Sequence, residues 1–534
     1  SILLRGSGKE SMSLVIFWER RVRRILPAQL LVVLVTLIAG WFLLLPFDFR
    51  DLAESAAAQA LFMGNFWFWK ATGYFAPEAL TKPLLHMWSL AVEEQFYLIF
   101  PLLLLPLRGW TRPRLRRLFL ILGVFSFAIG LALTWREPSA AYFLLPGRAW
   151  ELLLGAALAA TPVPVLVAPV VRAIIAWAGL FAVGASFFLL SERTPFPGYA
   201  ALLPCLGTAA LIWGHSLPGS LSFHLLSLPP LKFIGRISYS LYLWHWPALA
   251  YAEYWQPDPL RWPWRLAVLL SCGILAWLSW QWVETPFRTR RVLPTHRNAL
   301  AFGVLSPVIV MAMAVPVMLA SGFPRRFSPL VRSLGEGRLD FPFRYDLSSR
   351  QVRNGDFPTL GSRNAYDPVG LLVWGDSHAM SLLPALDQIG RDRQQTILIA
   401  THSATPPIQG LRDPGHVGIG AESDAWNEAV FTQIVRLRVP SVLLACRWTS
   451  YGLAPGKKQS AAACISDAVS RLRAAGVAVW LLKEVPDQPV SVPKALAVAA
   501  IKGTDRNLGL LLRQHEKSSH LEDLLLEPAR VAGA

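Results

Sequence analysis

Apolar residues in this chain gather into long blocks instead of recurring at helical or strand spacing. About nine are near the length that crosses bilayer hydrocarbon: 25–46, 84–107, 118–135, 147–161, 167–190, 199–214, 233–253, 264–283 and 299–320. The pattern predicts a multi-span α-helical membrane bundle over residues 1–320. Residues 321–365 are rich in Pro, Arg, Gly and Ser with weak periodicity, and are expected to be a linker. From Val369 the pattern changes again. Residues 371–374, 396–400, 441–446 and 477–482 read as short strands, and 379–390, 422–437 and 460–475 as helices. Strands spaced by helices predict a doubly wound parallel α/β sheet over 366–534.

Composition agrees: 54% of the 534 residues are hydrophobic and only 16% charged, with a mean hydropathy of +0.41, which excludes an ordinary soluble chain. The net charge of +17 would suit a nucleic-acid partner if it were spread over one face. It is not: arginines at 20, 21, 23 and 24 precede the first block, those at 108, 112, 114, 116 and 117 fill one connection, and those at 288, 290, 291 and 297 fill another. Cytoplasmic loops carry this bias, so the charge reads as topology and no nucleic acid is expected. With nine crossings starting inside, both basic connections fall inside. The connections 47–83, 136–146, 191–198 and 254–263 fall outside, and everything after Ser321 lies on the far side of a bacterial cytoplasmic membrane, in the periplasm or at the cell exterior. The four cysteines lack metal-ligand spacing. A Cys446–Cys464 disulfide stays open for the exported part.

Candidate chemistry begins in the second block, which opens on Leu85-His86-Met87-Trp88-Ser89-Leu90-Ala91-Val92-Glu93-Glu94-Gln95-Phe96-Tyr97. Ionisable groups at membrane depth cost several kcal/mol and so face a bundle interior or a wet cavity. His86, Glu93 and Glu94 therefore assist proton transfer or hold a cavity open. Arg21 and Arg24, one turn apart, either clamp phosphates or simply set topology. Arg148 and Glu151 are spaced to pair on one helix face. His245 lies between Trp244 and Trp246 in a later block, where a satisfied core histidine is the plainer reading. Glu284 closes its helix beside Arg288. In the α/β part, Gly375-Asp376-Ser377-His378 falls between a strand and a helix, where a serine hydroxyl is exposed at the sheet's carboxyl edge; Asp and Ser are also good helix caps there.

That tetrapeptide resembles the first block of the SGNH (GDSL-like) hydrolase family, which implies Ser377 as nucleophile. The family's base is a histidine in an Asp-x-x-His pattern after the last strand. Only Asp413-Pro414-Gly415-His416 has that spacing, and it follows the second strand; His515 and His520 lack the aspartate. Ala445-Cys446-Arg447-Trp448 stands where a Gly-x-Asn oxyanion block would be. In the membrane part, the ordered set Arg20-Arg21-Val22-Arg23-Arg24-Ile25-Leu26-Pro27, the His86 to Tyr97 block, Arg148-Ala149-Trp150-Glu151, Gly235-Arg236-Ile237-Ser238-Tyr239 leading to His245-Trp246-Pro247, and Val283-Glu284-Thr285-Pro286 resembles the acyltransferase-3 family, in the branch with a carboxyl-terminal SGNH domain. The resemblance implies transfer of an acyl group, commonly acetyl, from cytoplasmic acyl-CoA to a surface or periplasmic polysaccharide, with no permanently bound cofactor. It implies His86, Glu93, Glu94, Asp376 and Ser377 as catalytic, and Arg21, Arg24, Arg148, Glu151, Tyr239, His245 and Glu284 toward the acyl donor. A membrane-anchored carbohydrate esterase and a transporter of a lipid-linked or acyl substrate are the alternatives. The family's Arg-x10-His span is not found before Arg20, so a chain truncated at both ends is expected.

Overall fold

The computed structural model describes residues 14–71, 80–107, 109–161, 167–191, 194–214, 221–256, 261–337, 343–362, 364, 367–413, 418–453, 459–484, 488, 491–504, 509 and 512–534. Two compact units divide between Arg326 and Phe327. Arg108 and His416 lie outside the described residues.

In the first unit every apolar block is helical, and seven helices among the described residues are long and apolar enough to cross a membrane. Two of the expected nine fall short. Leu202–Gly214 is only 13 residues long, and Pro229–Trp255 is long but carries Tyr, Ser and His along its length. These polar residues face neighbouring helices. Tyr239 Oη donates to the Ile25 carbonyl at 2.9 Å and Tyr251 Oη to the Thr36 carbonyl at 2.6 Å. The contacts advance together, so Pro229–Trp255 runs parallel to Leu14–Leu43. The helix His296–Leu319 is parallel to Leu14–Leu43 too: Gly303 faces Val22, and Ser306 to Val310 face Leu26 to Val33. Blocks one, seven and nine thus share a direction, as alternating crossings require, and Leu319 ends opposite residues 20–24.

Lipid is as apolar as leucine, so helix pairing rests on close backbone approach and hydrogen bonds. Gly130 meets Gly147, where an added Cβ would lie 2.4 Å from the Gly147 oxygen, and Gly179 meets Gly207 at 2.5 Å from its oxygen.

The stretch 47–83, expected as an outside connection, instead re-enters the bundle. Pro46–Ala60 packs antiparallel to Leu14–Leu43: Gly40 meets Phe49 and Leu52, while Gln29, Leu30 and Val33 share a cavity with Ala56, Gln59 and Ala60. The chain turns at Leu61 to Met63, with Phe62 at φ 58°, and returns as Gly64–Ala71. The turn therefore lies beside Gln29, at the middle of the 30-residue first helix. Irregular backbone at that depth must be buried in protein. Gln95 supplies this, donating to the Phe62 carbonyl at 2.7 Å and to Asn65 Oδ1 at 2.8 Å, and Asn65 in turn donates to the Phe143 carbonyl at 3.1 Å.

The second unit has the expected doubly wound sheet, in the order β1-β3-β2-β5-β7. Strands β2 (Val369–Gly375), β3 (Thr396–Thr401), β5 (Ser441–Ala445) and β7 (Ala478–Leu482) are parallel. The edge strand β1 (Thr359–Gly361) is antiparallel and was not foreseen, being only three residues long. Leu411–Arg412 and Gly452–Leu453 form a separate small ladder as β4 and β6. Helices Ser423–Arg436 and Ala461–Ala474 cover one face, with Trp426, Val430, Ile434, Ile465 and Val469 in the core. Helices Ser377–Ser381 and Leu383–Asp392 lie on the other. Within 321–365, expected as a linker, Pro329–Glu336 and Ser349–Asn354 are helical and Leu347 and Val352 join the core. Cys446 and Cys464 are free thiols, so the disulfide left open by the sequence is absent.

Candidate active sites of the two units

Polar side chains in the bundle occupy successive depths along Pro229–Trp255. At the arginine-rich end, the Arg21 guanidinium lies 3.9 Å from the centre of the Tyr97 ring and 5.6 Å from that of Phe17; at this range a cation is held by the ring face. Tyr97 Oη donates to Glu93 Oε2 at 3.3 Å. Arg24 is exposed and acts through space on Glu93, Tyr239 and Glu284. Glu94 is buried beside Glu93. Glu284 accepts from Ser240 Oγ at 3.3 Å and pairs with Arg288 at 3.2 Å, the pairing expected from sequence.

One level deeper, His86 sits in the single 3-10 turn Leu85–Met87 that precedes the helix Trp88–Leu104. It is 5% exposed. Among the described residues neither ring nitrogen has a hydrogen-bond partner. Its ring centre is 5.5 Å from His245 and 5.3 Å from Tyr242. Tyr242 fixes this turn from across the gap: its hydroxyl donates to the His86 carbonyl at 2.6 Å and lies 2.6 Å from Ser89 Oγ. His245 Nδ1 is 2.6 Å from the Tyr242 carbonyl, so Nδ1 carries the hydrogen and Nε2 is left without a partner among the described residues. Two imidazoles within a ring's width, with one nitrogen lone pair open, can accept and relay a proton.

Arg148 and Glu151 form the expected pair as a two-pronged fork, both contacts at 3.1 Å. The guanidinium lies 4.9 Å from the ring centre of Trp88, the residue between Met87 and Ser89. The sequence reading missed Tyr242 and Ser89, although Tyr239, Tyr242 and His245 share a three-residue spacing that puts them on one helix stripe. It also read Arg23 only as a topology charge, yet Arg23 is 4% exposed and lies 2.7 Å from Glu19, which is fully buried.

In the second unit Ser377 opens its helix at the carboxyl end of β2, the central strand, with β3 on one side and β5 on the other. This is the switch point where open α/β sheets place ligands. Asp376 is fully buried. It accepts from the His378 N–H at 2.7 Å, the Arg447 N–H at 3.1 Å and Tyr451 Oη at 2.5 Å. With three donors it holds the turn that carries Ser377 against the end of β5. The Arg447 N–H, bound to Asp376, is correspondingly not a free oxyanion donor. Among the described residues Ser377 Oγ has no hydrogen-bond partner. His402 reaches the same sheet edge, its N–H donating to the Gly375 carbonyl at 3.1 Å, while its Nδ1 lies 2.9 Å from the Ser403 carbonyl and 3.1 Å from Thr405 Oγ1. Burial, with Asp376, Glu484 and Glu522 around it, holds the Cys446 thiol well above its ordinary value, so it is no rival nucleophile. No metal cluster occurs among the described residues.

Comparison with known families bears directly on this pairing. Residues 2–281 match the acyltransferase domain model, and residues 346–528 match the SGNH domain that is fused to such acyltransferase domains. The chain belongs to the acyltransferase-3 family. Among its acyltransferase-3 relatives, the peptidoglycan O-acetyltransferase OatA of Listeria monocytogenes is 34% identical over 307 residues, 54% of this chain and 48% of that protein. The O-acetyltransferase OatA of Staphylococcus aureus (strain NCTC 8325) is 28% identical over 334 residues, 59% of this chain and 54% of that protein. The chain thus matches about half the length of these curated relatives. No solved structure matches it.

Proposed function

We propose that this protein moves an acyl group, acetyl in the first instance, from an acyl-CoA donor at the arginine-rich end of the bundle to a hydroxyl of a cell-wall polysaccharide beyond the cytoplasmic membrane. The observation that carries the reading is the polar column: Arg21 and Arg24, then Glu93, Glu94, Tyr239 and Glu284, then His86, Tyr242 and His245. A tether for an exported esterase has no use for so many ionisable groups at membrane depth.

Exposed Arg24 and half-buried Arg21 suit the donor's phosphates. The donor supplies an activated thioester carbonyl. His245, with Nε2 open, takes the proton of the attacking hydroxyl and returns it to the departing sulfur, so that one C–O bond forms as one C–S bond breaks. The ester so formed gives its acyl group to Ser377 Oγ in the exported domain, one C–O bond forming as another breaks and the first alcohol leaving with the serine proton; a glycan hydroxyl then takes the group from Ser377 by the same exchange and returns a proton to Ser377 Oγ. Peptidoglycan, named for the Listeria relative, is the first acceptor to test.

The experiment uses the full chain in proteoliposomes with radiolabelled acetyl-CoA outside and peptidoglycan fragments in the lumen. Free CoA outside and label on the fragments are expected, with fragment labelling lost in Ser377→Ala. Label trapped as an ester on the wild-type domain and absent from Ser377→Ala would establish a covalent step. Deacetylation of acetylated fragments without any transfer would instead establish an esterase, and movement of an unchanged substrate a transporter.

A further inference from the structure

The tip of the re-entrant hairpin leaves a polar gap at half depth. Gln29 and Gln59 are 5% and 1% exposed. Gln29 Oε1 and both polar atoms of the Gln59 carboxamide lack hydrogen-bond partners among the described residues. Both side chains line a cavity of about 30 Å³, walled by Leu26, Leu30, Ala56 and Phe62, with Ser306 and Pro307 opposite.

Unpaired amide groups away from water are costly, and more so in hydrocarbon, where nothing else can pair them. Neither the fold nor the polar column uses them. The hairpin turn itself is held by Gln95 and Asn65 instead. Something therefore completes this pair, and the lining narrows what it is. No cation borders the cavity, and the carboxyl end of Pro46–Ala60, where a helix is partially negative, points into it; an anion is excluded. An alkyl chain would leave all three atoms unpaired. A group with one N–H and one C=O pairs two of the three, the N–H with Gln29 Oε1 and the C=O with Gln59 Nε2. The space suffices for about two waters or the heavy atoms of one amide.

We propose that the cavity between Gln29 and Gln59 binds a secondary amide of a substrate. Given the acyl-transfer reading above, on which the choice of sources rests, the amide belongs either to the pantetheine arm of the donor or to an N-acetyl group of the glycan.

Calorimetric titration of the full chain in nanodiscs distinguishes them. The probes are pantetheine, an N-acetylglucosamine disaccharide, and adenosine diphosphate, which has phosphates and no amide. Gln29→Leu and Gln59→Leu each weaken one of the two amide probes about tenfold and leave adenosine diphosphate unchanged; the probe that responds identifies the source. Removing unpaired polar atoms does not endanger folding, and Gln59→Glu, equal in size but without the N–H donor pair when ionised, loses the same probe. If both leucine variants bind every probe like the wild type and melt higher, or if the wild type binds neither amide probe, the cavity is a water site and the proposal falls. A failure of wild-type acetyl transfer in proteoliposomes would sink the functional reading while leaving an amide-binding result standing.

Discussion

His296 Nδ1 lies 2.5 Å from a carboxylate oxygen of Glu19, a residue with no exposed surface, 277 positions away in sequence. The other oxygen accepts from Arg23 Nε at 2.7 Å, and Arg23 also donates to the carbonyls of Val292 and Thr295 at 3.3 and 3.0 Å. One buried carboxylate thus joins the start of the first long helix to the connection before the last. Arg290 completes the cluster from a half-exposed position, 3.4 Å away.

Breaking a buried ion pair by removing one partner costs about 3–5 kcal/mol, because the other charge is left behind. Glu19→Ala is therefore expected to lower the thermal unfolding midpoint in detergent by more than about 5 °C. Arg290→Ala, screened by solvent, should move it by no more than about 2 °C. Equal shifts would show that Arg23 is satisfied without Glu19.

The carboxylate of Asp376 ties β2 to the end of β5. Asp376→Ala leaves two N–H groups and a tyrosine hydroxyl without their acceptor, and is expected to speed hydrogen exchange at the β2 and β5 amides about a hundredfold or more. Tyr451→Phe removes one of three donors and should have a much smaller effect. Unchanged exchange in Asp376→Ala would mean water replaces it.

Tyr242 is hydrogen-bonded to the turn that carries His86. Tyr242→Phe keeps the ring and loses only the bonds to the His86 carbonyl and Ser89. Acyl transfer is expected to fall about tenfold in kcat with KM for the donor held, and the melting midpoint to shift little. A loss confined to KM would assign Tyr242 to donor binding instead.

Asp346 gives a pH test. Partial burial alone would raise its carboxyl, but hydrogen bonds from Ser403, at 2.7 Å for the N–H, with Arg344 and His402 nearby, hold it below the ordinary 3.8. A depressed acid adds stability above its unfolded value and loses it as pH falls through the folded one. Asp346→Asn should therefore be less stable than wild type at pH 7. The gap should close below about pH 3.8. A gap that persists in acid would place the effect in packing.

Much of the architecture was legible because long apolar blocks have few alternatives, and because β2, β3, β5 and β7 are bounded by clear helical spacing. The hairpin 46–71 was not. Its first helix is rich in Ala, with Asp48, Arg50, Asp51, Glu54 and Gln59, a composition typical of a surface. What buries Phe49, Leu52 and Gln59 is contact with residues outside the segment, which local pattern does not record. Glu19 was not singled out for the same reason: its partners at 290 and 296 are invisible to any window around it. Ser377 was placed by a local strand-to-turn-to-helix signal, whereas the fixed role of Asp376 depends on Arg447 and Tyr451, some seventy positions later.

The hairpin's outer end is crowded on every side. A Cβ on Gly322 would lie 1.8 Å from the Pro46 oxygen, Arg326 donates to the Leu44 carbonyl at 2.6 Å and covers Trp41 and Phe49, and Tyr254 holds Asp48 and the Leu45 N–H. The inner end hangs on Gln95 and Asn65. The root of Pro46–Ala60 and the place where the chain leaves the bundle are therefore one packed joint, so that a change at Gly322 or Arg326 is felt first at Leu44 to Phe49.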